Sequence, residues 1–290
     1  MSFYTPLRYP GGKGKLAAYI KAILAENELL GCHYAEVYAG GAGVAMELLL
    51  EDYVSSIHIN DLNLHVYSFW HSVLNEPDAL CRLILDTPVS IAEWHHQKAV
   101  YALPFGKATH LERGFAMFFL NRTNRSGILK AGVIGGKNQD GPWKLDARFA
   151  KKDLIHRIEL IAARRRSIKL TRMDALKFVT EKLPNLDELT FTYLDPPYYV
   201  KGAGLYDNFY EHDDHAKIAK AMRKLRRVRW VVSYDDAPEI RRLYASTLSV
   251  SYSLNYSAAN RFRGSEVMFF SPKLTAPSLG DYGYRHAEAA

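Results

Sequence analysis

The chain has only two cysteines, Cys32 and Cys81, and neither sits at a metal-ligand spacing. A disulfide scaffold is therefore excluded, and a reducing, cytoplasmic setting is expected. Long apolar runs are also missing: no uncharged stretch approaches the roughly 18 residues that a membrane helix needs. The opening Met1-Ser2-Phe3-Tyr4-Thr5-Pro6 lacks the apolar core and cleavage region of a signal peptide. No internal repeat is visible. What remains is an ordinary globular mixture of 290 residues, 48% hydrophobic and 24% charged. That length suits one large domain, or a domain with a sizeable insertion.

Negative charge is in short supply overall, leaving a net charge of +7 and making a polyanion a reasonable partner. The excess is local. Residues 88–166 carry 15 Lys and Arg against 6 Asp and Glu, a net of +9, so the rest of the chain stands at −2. Within that segment the cations alternate with glycines, Asn121, Asn124, Phe118, Phe119 and Trp143. Backbone-contacting cations mixed with stacking or wedging aromatics suit a nucleic-acid surface. Read more simply, Arg164-Arg165-Arg166 is the solvated end of a helix.

Outside the segment the chain alternates helix and strand. A glycine-rich loop, Tyr9-Pro10-Gly11-Gly12-Lys13-Gly14-Lys15, runs into a helical pattern over residues 16–30. Residues 34–38 read as a short buried strand ending in Ala39-Gly40-Gly41-Ala42-Gly43. A helix over 44–51 and a strand over 56–60 follow, and the latter closes on Asp61. Strand, glycine turn, helix, and strand with an acid at its tip is the opening of a doubly wound α/β sheet. Helical patterns fill residues 64–85. The basic segment then brings an amphipathic stretch over 111–120 and a Gly-, Asn- and Lys-rich hairpin or loop over 121–143. Alternation resumes with strands at 168–171, 189–194 and 230–234, helices at 175–182, 213–226 and 240–244, and paired strands near 249–255 and 266–270. This divides the chain into a catalytic domain of residues 1–87 and 162–271, an inserted subdomain of 88–161, and a poorly ordered tail of 272–290.

Three pieces could carry chemistry. The Gly40-Gly41-Ala42-Gly43 turn lets backbone approach a ligand at the carboxyl edge of a sheet. Met46 stands where a dinucleotide fingerprint wants a small residue, so an NAD site is disfavoured. Asp61 at the next strand end can accept both hydroxyls of a ribose; its plainer role is a helix N-cap. The loop at Tyr9 fails the P-loop spacing, because Tyr9 stands where a Walker motif needs glycine and Leu16 follows Gly14-Lys15. Lys13 and the glycine amides remain good donors to an anion.

The third piece is Asp195-Pro196-Pro197-Tyr198 at a strand end. Two prolines fix two φ angles and remove two amide donors, leaving a ridge of acceptors, the Asp195 carboxylate and the Pro196 carbonyl, beside an aromatic ring. Such a ridge suits a planar group with an exocyclic NH2. Its two hydrogens would be bound while Tyr198 stacks on its face, freeing the nitrogen lone pair for an in-line methyl.

With these motifs in this order, residues 5–271 resemble the Dam-like DNA adenine methylases, enzymes that use S-adenosylmethionine to methylate adenine N6. The resemblance implies a mostly parallel, Rossmann-like methyltransferase sheet with an inserted, mainly helical and hairpin target-recognition subdomain. It implies that Tyr9, Pro10, Gly11, Gly12 and Lys13 line the cofactor's methionine end and that Asp61 binds its ribose. Asp174 would meet the cofactor's adenine amino group, with Tyr38, Gly40, Gly41 and Gly43 around it. Asp195 would lie between cofactor and target base. The insertion would read double-stranded DNA through Asn121, Arg122, Asn124, Arg125, Lys130 and Lys137. Asn121-Arg122 and Gly127 fit the family pattern. Thr123-Asn124-Arg125-Ser126 and Leu129-Lys130-Ala131 depart from the GATC enzymes, which usually carry Tyr-Gly-Tyr-Asn in the first stretch, so adenine specificity carries over better than GATC specificity. No metal is expected. A cognate restriction endonuclease is a conceivable partner. The rival readings are amine methylation of RNA adenine or a protein glutamine, and a silent DNA-binding regulator on the same fold.

Overall fold

The computed structural model describes residues 4–8, 16–199, 210–256 and 262–278. Helix α1 (Leu16–Glu26) leads to strand β1 (His33–Glu36), helix α2 (Gly43–Leu50) and strand β2 (Ser56–Asn60). Five helices follow: α3 (Leu64–Asn75), α4 (Pro77–Asp86), α5 (Ile91–Tyr101), α6 (His110–Thr123) and α7 (Lys151–Ala163). The chain returns to strand β3 (Ile168–Thr171), then to the helical turn α8 (Ala175–Lys177), which runs on as a π-helix over Phe178–Lys182. Strand β4 (Thr190–Leu194), helix α9 (His212–Lys224), strand β5 (Arg229–Asp235), helix α10 (Pro238–Leu243) and strands β6 (Leu248–Tyr256) and β7 (Phe262–Phe270) complete it.

The strands form one sheet in the order β3-β2-β1-β4-β5-β7-β6. Strands β1 to β5 are parallel, while β7 runs antiparallel to both β5 and β6. The expected doubly wound α/β sheet is what the chain forms. Side chains alternate between two cores, as the two-residue period of a strand requires. Tyr34, Tyr193, Val231 and Met268 enter the core beneath α1, α2 and α3, and their neighbours Ala35, Leu194, Val232 and Phe269 enter the one beneath α9 and α10. Connections leave β1 toward β2 and β4 toward β5, in opposite directions. The carboxyl ends of β1 and β4 therefore flank a crevice, where open α/β sheets bind ligands.

Residues 88–161 do not build a separate core. Helices α5, α6 and α7 pack with α3 and α4 into the same cluster that lines one face of the sheet. Gly114 lets α6 come close to α3: a Cβ there would lie 2.7 Å from the Ser68 carbonyl oxygen and 2.9 Å from the Phe69 backbone. Phe118 and Phe119, expected among the nucleic-acid contacts, are fully buried, and Phe118 stacks on Phe69 with ring centroids 5.7 Å apart. Their exposure cannot be read from periodicity, because α6 is buried nearly all round. Trp143 is 67% exposed.

The region after α6 is mainly loop with a hairpin-like base. Asn124 bridges Val133 in antiparallel fashion, and the Ile134 amide donates to the Thr123 carbonyl at 2.9 Å. The tail also differs from expectation at its start. Leu274 is buried, the Thr275 amide donates to Asn27 Oδ1 at 2.8 Å, and Tyr19 Oη donates to the Pro277 carbonyl at 2.9 Å. Residues 272–278 are thus held against α1 by apolar burial and paired polar groups; residues 279–290 lie outside the described residues.

Candidate active site

The turn after β1 is built from both sides. Gly40 and Ala42 take left-handed backbone (φ 46° and 45°), bending the chain sharply from strand into α2. The Ala39 amide donates to the Asn60 carbonyl at 2.8 Å, and Trp70 Nε1 donates to the Gly40 carbonyl at 2.9 Å. Thr5 Oγ1 donates to the Gly41 carbonyl. A Cβ on Gly43 would reach only ordinary contact with Thr5, so its packing does not demand glycine.

Asp61 stands at the carboxyl end of β2 and closes the turn. Its Oδ2 accepts the Gly40 amide at 2.8 Å and its Oδ1 the Asn63 amide at 2.9 Å. Burial pushes its carboxyl up to about 6, against these two donors. The N-cap of α3 is not Asp61 but Asn63, which accepts from the His65 and Val66 amides. Asn60, missed by sequence reasoning, ties three strand ends together. Its Nδ2 donates to the Val37 and Met173 carbonyls, both at 3.0 Å, and its Oδ1 accepts from Thr171 Oγ1 and the Met173 amide. That arrangement sets Asp174, which accepts the Lys177 amide at 3.1 Å and caps α8, at the end of β3.

Asp195 leaves the end of β4, half-buried. Ser233 on β5 donates to Asp195 Oδ1 at 3.0 Å, and Ser233 Oγ lies 2.7 Å from Tyr193 Oη. Beyond the prolines, the Tyr199 amide donates to Asp235 Oδ1 at 2.8 Å, anchoring the ridge to the end of β5. Tyr198 is only 8% exposed, and its hydroxyl donates to Glu266 Oε1 at 2.9 Å. The ring is thus packed in beside the ridge rather than standing free. Its hydroxyl pulls it toward a carboxylate 68 residues away in the chain.

Two further residues belong to this edge. Glu36 on β1 is buried and accepts the Tyr34 hydroxyl at 3.1 Å and the Ala45 amide at 3.2 Å. Burial, reinforced by the Asp195 and Asp61 carboxylates, pushes it up to about 8, so it holds a proton at neutral pH. An acid inside the apolar run Tyr34-Ala35-Glu36-Val37-Tyr38 was the available signal. Tyr38 donates to Tyr210 Oη at 3.1 Å, placing an aromatic wall beside the crevice. Tyr38, Gly40, Gly41, Gly43, Asp61, Asp174 and the Asp195–Tyr198 ridge therefore share one edge of the sheet. Tyr9, Pro10, Gly11, Gly12 and Lys13 lie outside the described residues.

The basic insertion divides into internal and external cations. Asn121 is 1% exposed. It accepts the Arg8 amide at 2.7 Å and donates to the carbonyls of Arg8 (2.6 Å) and Gly127 (2.9 Å). Asn124, equally buried, accepts from Trp94 Nε1 and donates to the Ile128 and Leu129 carbonyls. Both amides are spent inside the protein, on backbone and on the Trp94 indole, so the expectation that they read bases is corrected: they shape the loop. Arg122 is half-buried, donating to the carbonyls of Arg148 (2.7 Å) and Pro6 (3.4 Å). Burial, with Arg8, Arg157 and Arg148 nearby, lowers its guanidinium to about 10. A guanidinium so strained by like charge favours an anion close by. Arg125, Lys130 and Lys137 are exposed, as are Lys144 and Arg148 around Trp143.

Among the described residues no group of three or more His, Cys, Asp and Glu is placed to hold a metal ion, and no helix is long and apolar enough to cross a membrane. Residues 9–258 match the family model of the D12 class N6 adenine-specific DNA methyltransferases. No curated protein sequence is significantly similar to the chain. Among solved structures it is similar to the rRNA methyltransferase aviRa from Streptomyces viridochromogenes, with 13% identity, a TM-score of 0.43, and coverage of 91% of this chain and 87% of that one. It is also similar to a putative RNA methyltransferase, PH1948, from Pyrococcus horikoshii (9% identity, TM-score 0.42, 92% and 88% covered). A third is M. capricolum TrmK in complex with S-adenosyl-homocysteine (7% identity, TM-score 0.36, 91% and 74% covered).

Proposed function

The chain belongs to the D12 class N6 adenine-specific DNA methyltransferase family, and from that premise we propose that it methylates N6 of an adenine flipped out of double-stranded DNA. The observation that carries this reading is the Asp195-Pro196-Pro197 ridge at the carboxyl end of β4, directly across the crevice from the glycine turn and Asp61. Methyl donor and acceptor amine need adjacent sites, and the two strand ends supply them.

The cofactor is S-adenosylmethionine, as membership of this family implies, and the residues present suit it. Asp61, already raised by burial, gains from any new donor such as a ribose hydroxyl. Gly40 and Gly41 leave room for backbone contact, and Asp174 and Tyr38 stand ready at the neighbouring strand ends. When bound, this group supplies an electrophilic methyl on a sulfonium. Asp195 accepts one hydrogen of the target amine and the Pro196 carbonyl the other, favouring an sp3-like nitrogen whose lone pair is no longer delocalised into the ring. Ser233 holds the carboxylate in that orientation. As the nitrogen takes the methyl that the sulfonium would supply, Asp195, already bonded to one of its hydrogens, would take the proton that it sheds.

Adenine in a duplex cannot reach Asp195, so the base leaves the stack at a cost of about a few kcal/mol. Contacts to the backbone offset that cost. Arg122 with its neighbours Arg8, Arg148 and Arg157, and the exposed Arg125, Lys130 and Lys137, form the surface for phosphates. The reading is tested by expression in a methylation-free bacterial host, followed by sequencing with modified-base detection. N6-methyladenine at a defined motif is expected, and Asp195→Ala should remove it while leaving the fold and cofactor affinity in place. Methylation confined to RNA, or full activity in Asp195→Ala, would overturn it.

A further inference from the structure

Glu266 lies in the middle of β7, fully buried, directly opposite Tyr252 on β6 and Asp235 on β5. It accepts two hydroxyls, Tyr198 on Oε1 at 2.9 Å and Tyr252 on Oε2 at 2.6 Å. A carboxylate buried in a sheet is costly unless its oxygens are matched by donors. Here one of those donors is the tyrosine of the Asp195–Tyr198 ridge. From this geometry we infer that Glu266 is a positioning residue for methyl transfer: through the hydroxyl of Tyr198 it fixes the direction in which that ring projects beside the ridge that holds the target base.

The argument runs through the degrees of freedom of the ridge. The prolines fix the backbone of residues 196 and 197, and Asp235 holds the Tyr199 amide, so the chain on both sides of Tyr198 is anchored. What the backbone does not fix is rotation of the ring about its own side-chain torsions. A bond on the para oxygen restrains the swing of the ring about Cα–Cβ with the longest lever available, while the packing around the buried ring limits its spin about its own axis. Tyr252 holds the other oxygen of Glu266, so the acceptor is itself fixed from an adjacent strand. In an in-line displacement the target nitrogen must meet the methyl carbon within a narrow range of distance and angle, and displacements near 1 Å cost about 100-fold in rate. A ring free to tilt spreads the base over that range.

This inference rests on the reading of the chain as a DNA adenine methylase, and its test separates the two. Wild type, Tyr198→Phe, Glu266→Gln, the double variant and Tyr252→Phe are assayed on unmethylated genomic DNA with S-adenosyl-[methyl-3H]methionine, giving kcat and KM for each substrate. Glu266→Gln keeps the volume and one acceptor oxygen, and Tyr198→Phe keeps the ring. Each single variant should lose about 10-fold or more in kcat, with cofactor KM within about twofold. The double variant should be no slower than the slower single variant, since Glu266→Gln takes the charge from the same bond that Tyr198→Phe removes. Tyr252→Phe, which leaves the Tyr198 bond in place, should lower the melting temperature comparably but cost less in kcat than Tyr198→Phe.

Losses that multiply in the double variant, an unchanged kcat in Glu266→Gln, or equal kcat losses in both Tyr→Phe variants would overturn the role of Glu266. If Glu266→Gln fails to fold, the two Tyr→Phe variants decide by their rank order. A wild-type protein that methylates no DNA removes the parent reading, and the inference with it.

Discussion

Replacing Glu36 by glutamine should abolish a fall in stability that the wild-type protein shows between pH 6.5 and 8. Glu36 is 5% exposed and its carboxyl is pushed up to about 8, first by burial and then by Asp195 and Asp61. In the unfolded chain it titrates near the ordinary glutamate value of about 4.3. Between these values the folded protein holds a proton that the unfolded protein has lost. The unfolded state then binds fewer protons, so stability falls with rising pH, by about 1.4 kcal/mol per unit for one proton.

Other shifted groups mask this below pH 6.5. Asp61, raised to about 6, adds to the fall. His58 and His215, both lowered to about 4 by burial, oppose it, because below 6.5 the unfolded histidines take up protons that the folded ones refuse. From 6.5 to 8 the unfolded histidines and Asp61 finish titrating, and Glu36 outweighs them increasingly as pH rises. The expected net loss over that window is about 1 kcal/mol, of which Glu36 supplies about 1.6 and the histidines oppose about 0.8. Urea unfolding at half-unit intervals of pH measures it. Glu36→Gln mimics the protonated acid and keeps an oxygen for the Tyr34 hydroxyl and the Ala45 amide. Its unfolding free energy should no longer fall but rise slightly across the window, by about half a kcal/mol, as the unfolded histidines finish titrating. A wild-type curve that is flat or rises from 6.5 to 8, or a variant that keeps the wild-type slope, would refute the assignment of a proton to Glu36.

Gly114→Ala should cost about 1–3 kcal/mol in urea unfolding, since its methyl would lie 2.7 Å from the Ser68 carbonyl oxygen and would force α6 away from α3. Asn121→Ala removes three hydrogen bonds to backbone and should cost about 2–3 kcal/mol by the same measurement, yet leave the salt dependence of DNA binding unaltered. A changed salt slope there would restore Asn121 to the DNA surface. Lys130→Ala and Lys137→Ala should behave oppositely, each reducing the slope of log affinity against log salt by about 0.9 in a fluorescence-anisotropy titration with little effect on stability.

What could be read from the sequence follows how local each feature is. Strands β2 and β3 fall on the expected residues, 56–60 and 168–171, because each is a short apolar run bounded by clear turn signals. The Asp195 ridge was legible for the same reason: proline acts on its own backbone, whatever surrounds it. Glu266 and Asn60 were not, since their importance lies in contacts 68 and 113 residues away. Asn121 and Asn124 misled in the other direction. An asparagine in a basic loop has the chemistry to read a base and equally the chemistry to satisfy buried carbonyls, and composition does not distinguish the two. Phe118 and Phe119 failed similarly, because α6 is enclosed by α3, α5 and the loop after it rather than lying on a surface.

The charge excess shows how counting and placement differ. Several of the 15 cations between residues 88 and 166 serve the fold: Arg113 donates to the Leu103 and Pro104 carbonyls, and Lys151 to those of Leu85 and Thr87 at the end of α4. Arg122 and Arg157 do something else, donating to the carbonyls of Pro6 and Thr5. Residue by residue, the strip Thr5–Arg8 is bonded on one side to Gly41 in the turn and on the other to Asn121, Arg122 and Arg157 of the insertion. A guanidinium that lets go of Pro6 to meet a phosphate therefore loosens the strip that also grips the glycine turn. Hydrogen bonds through Thr5–Arg8 thus link the insertion to the carboxyl edge of the sheet, and the net charge of the segment is a poor measure of the charge it offers a polyanion. The exposed subset around Arg125, Lys130, Lys137 and Trp143 is the better one.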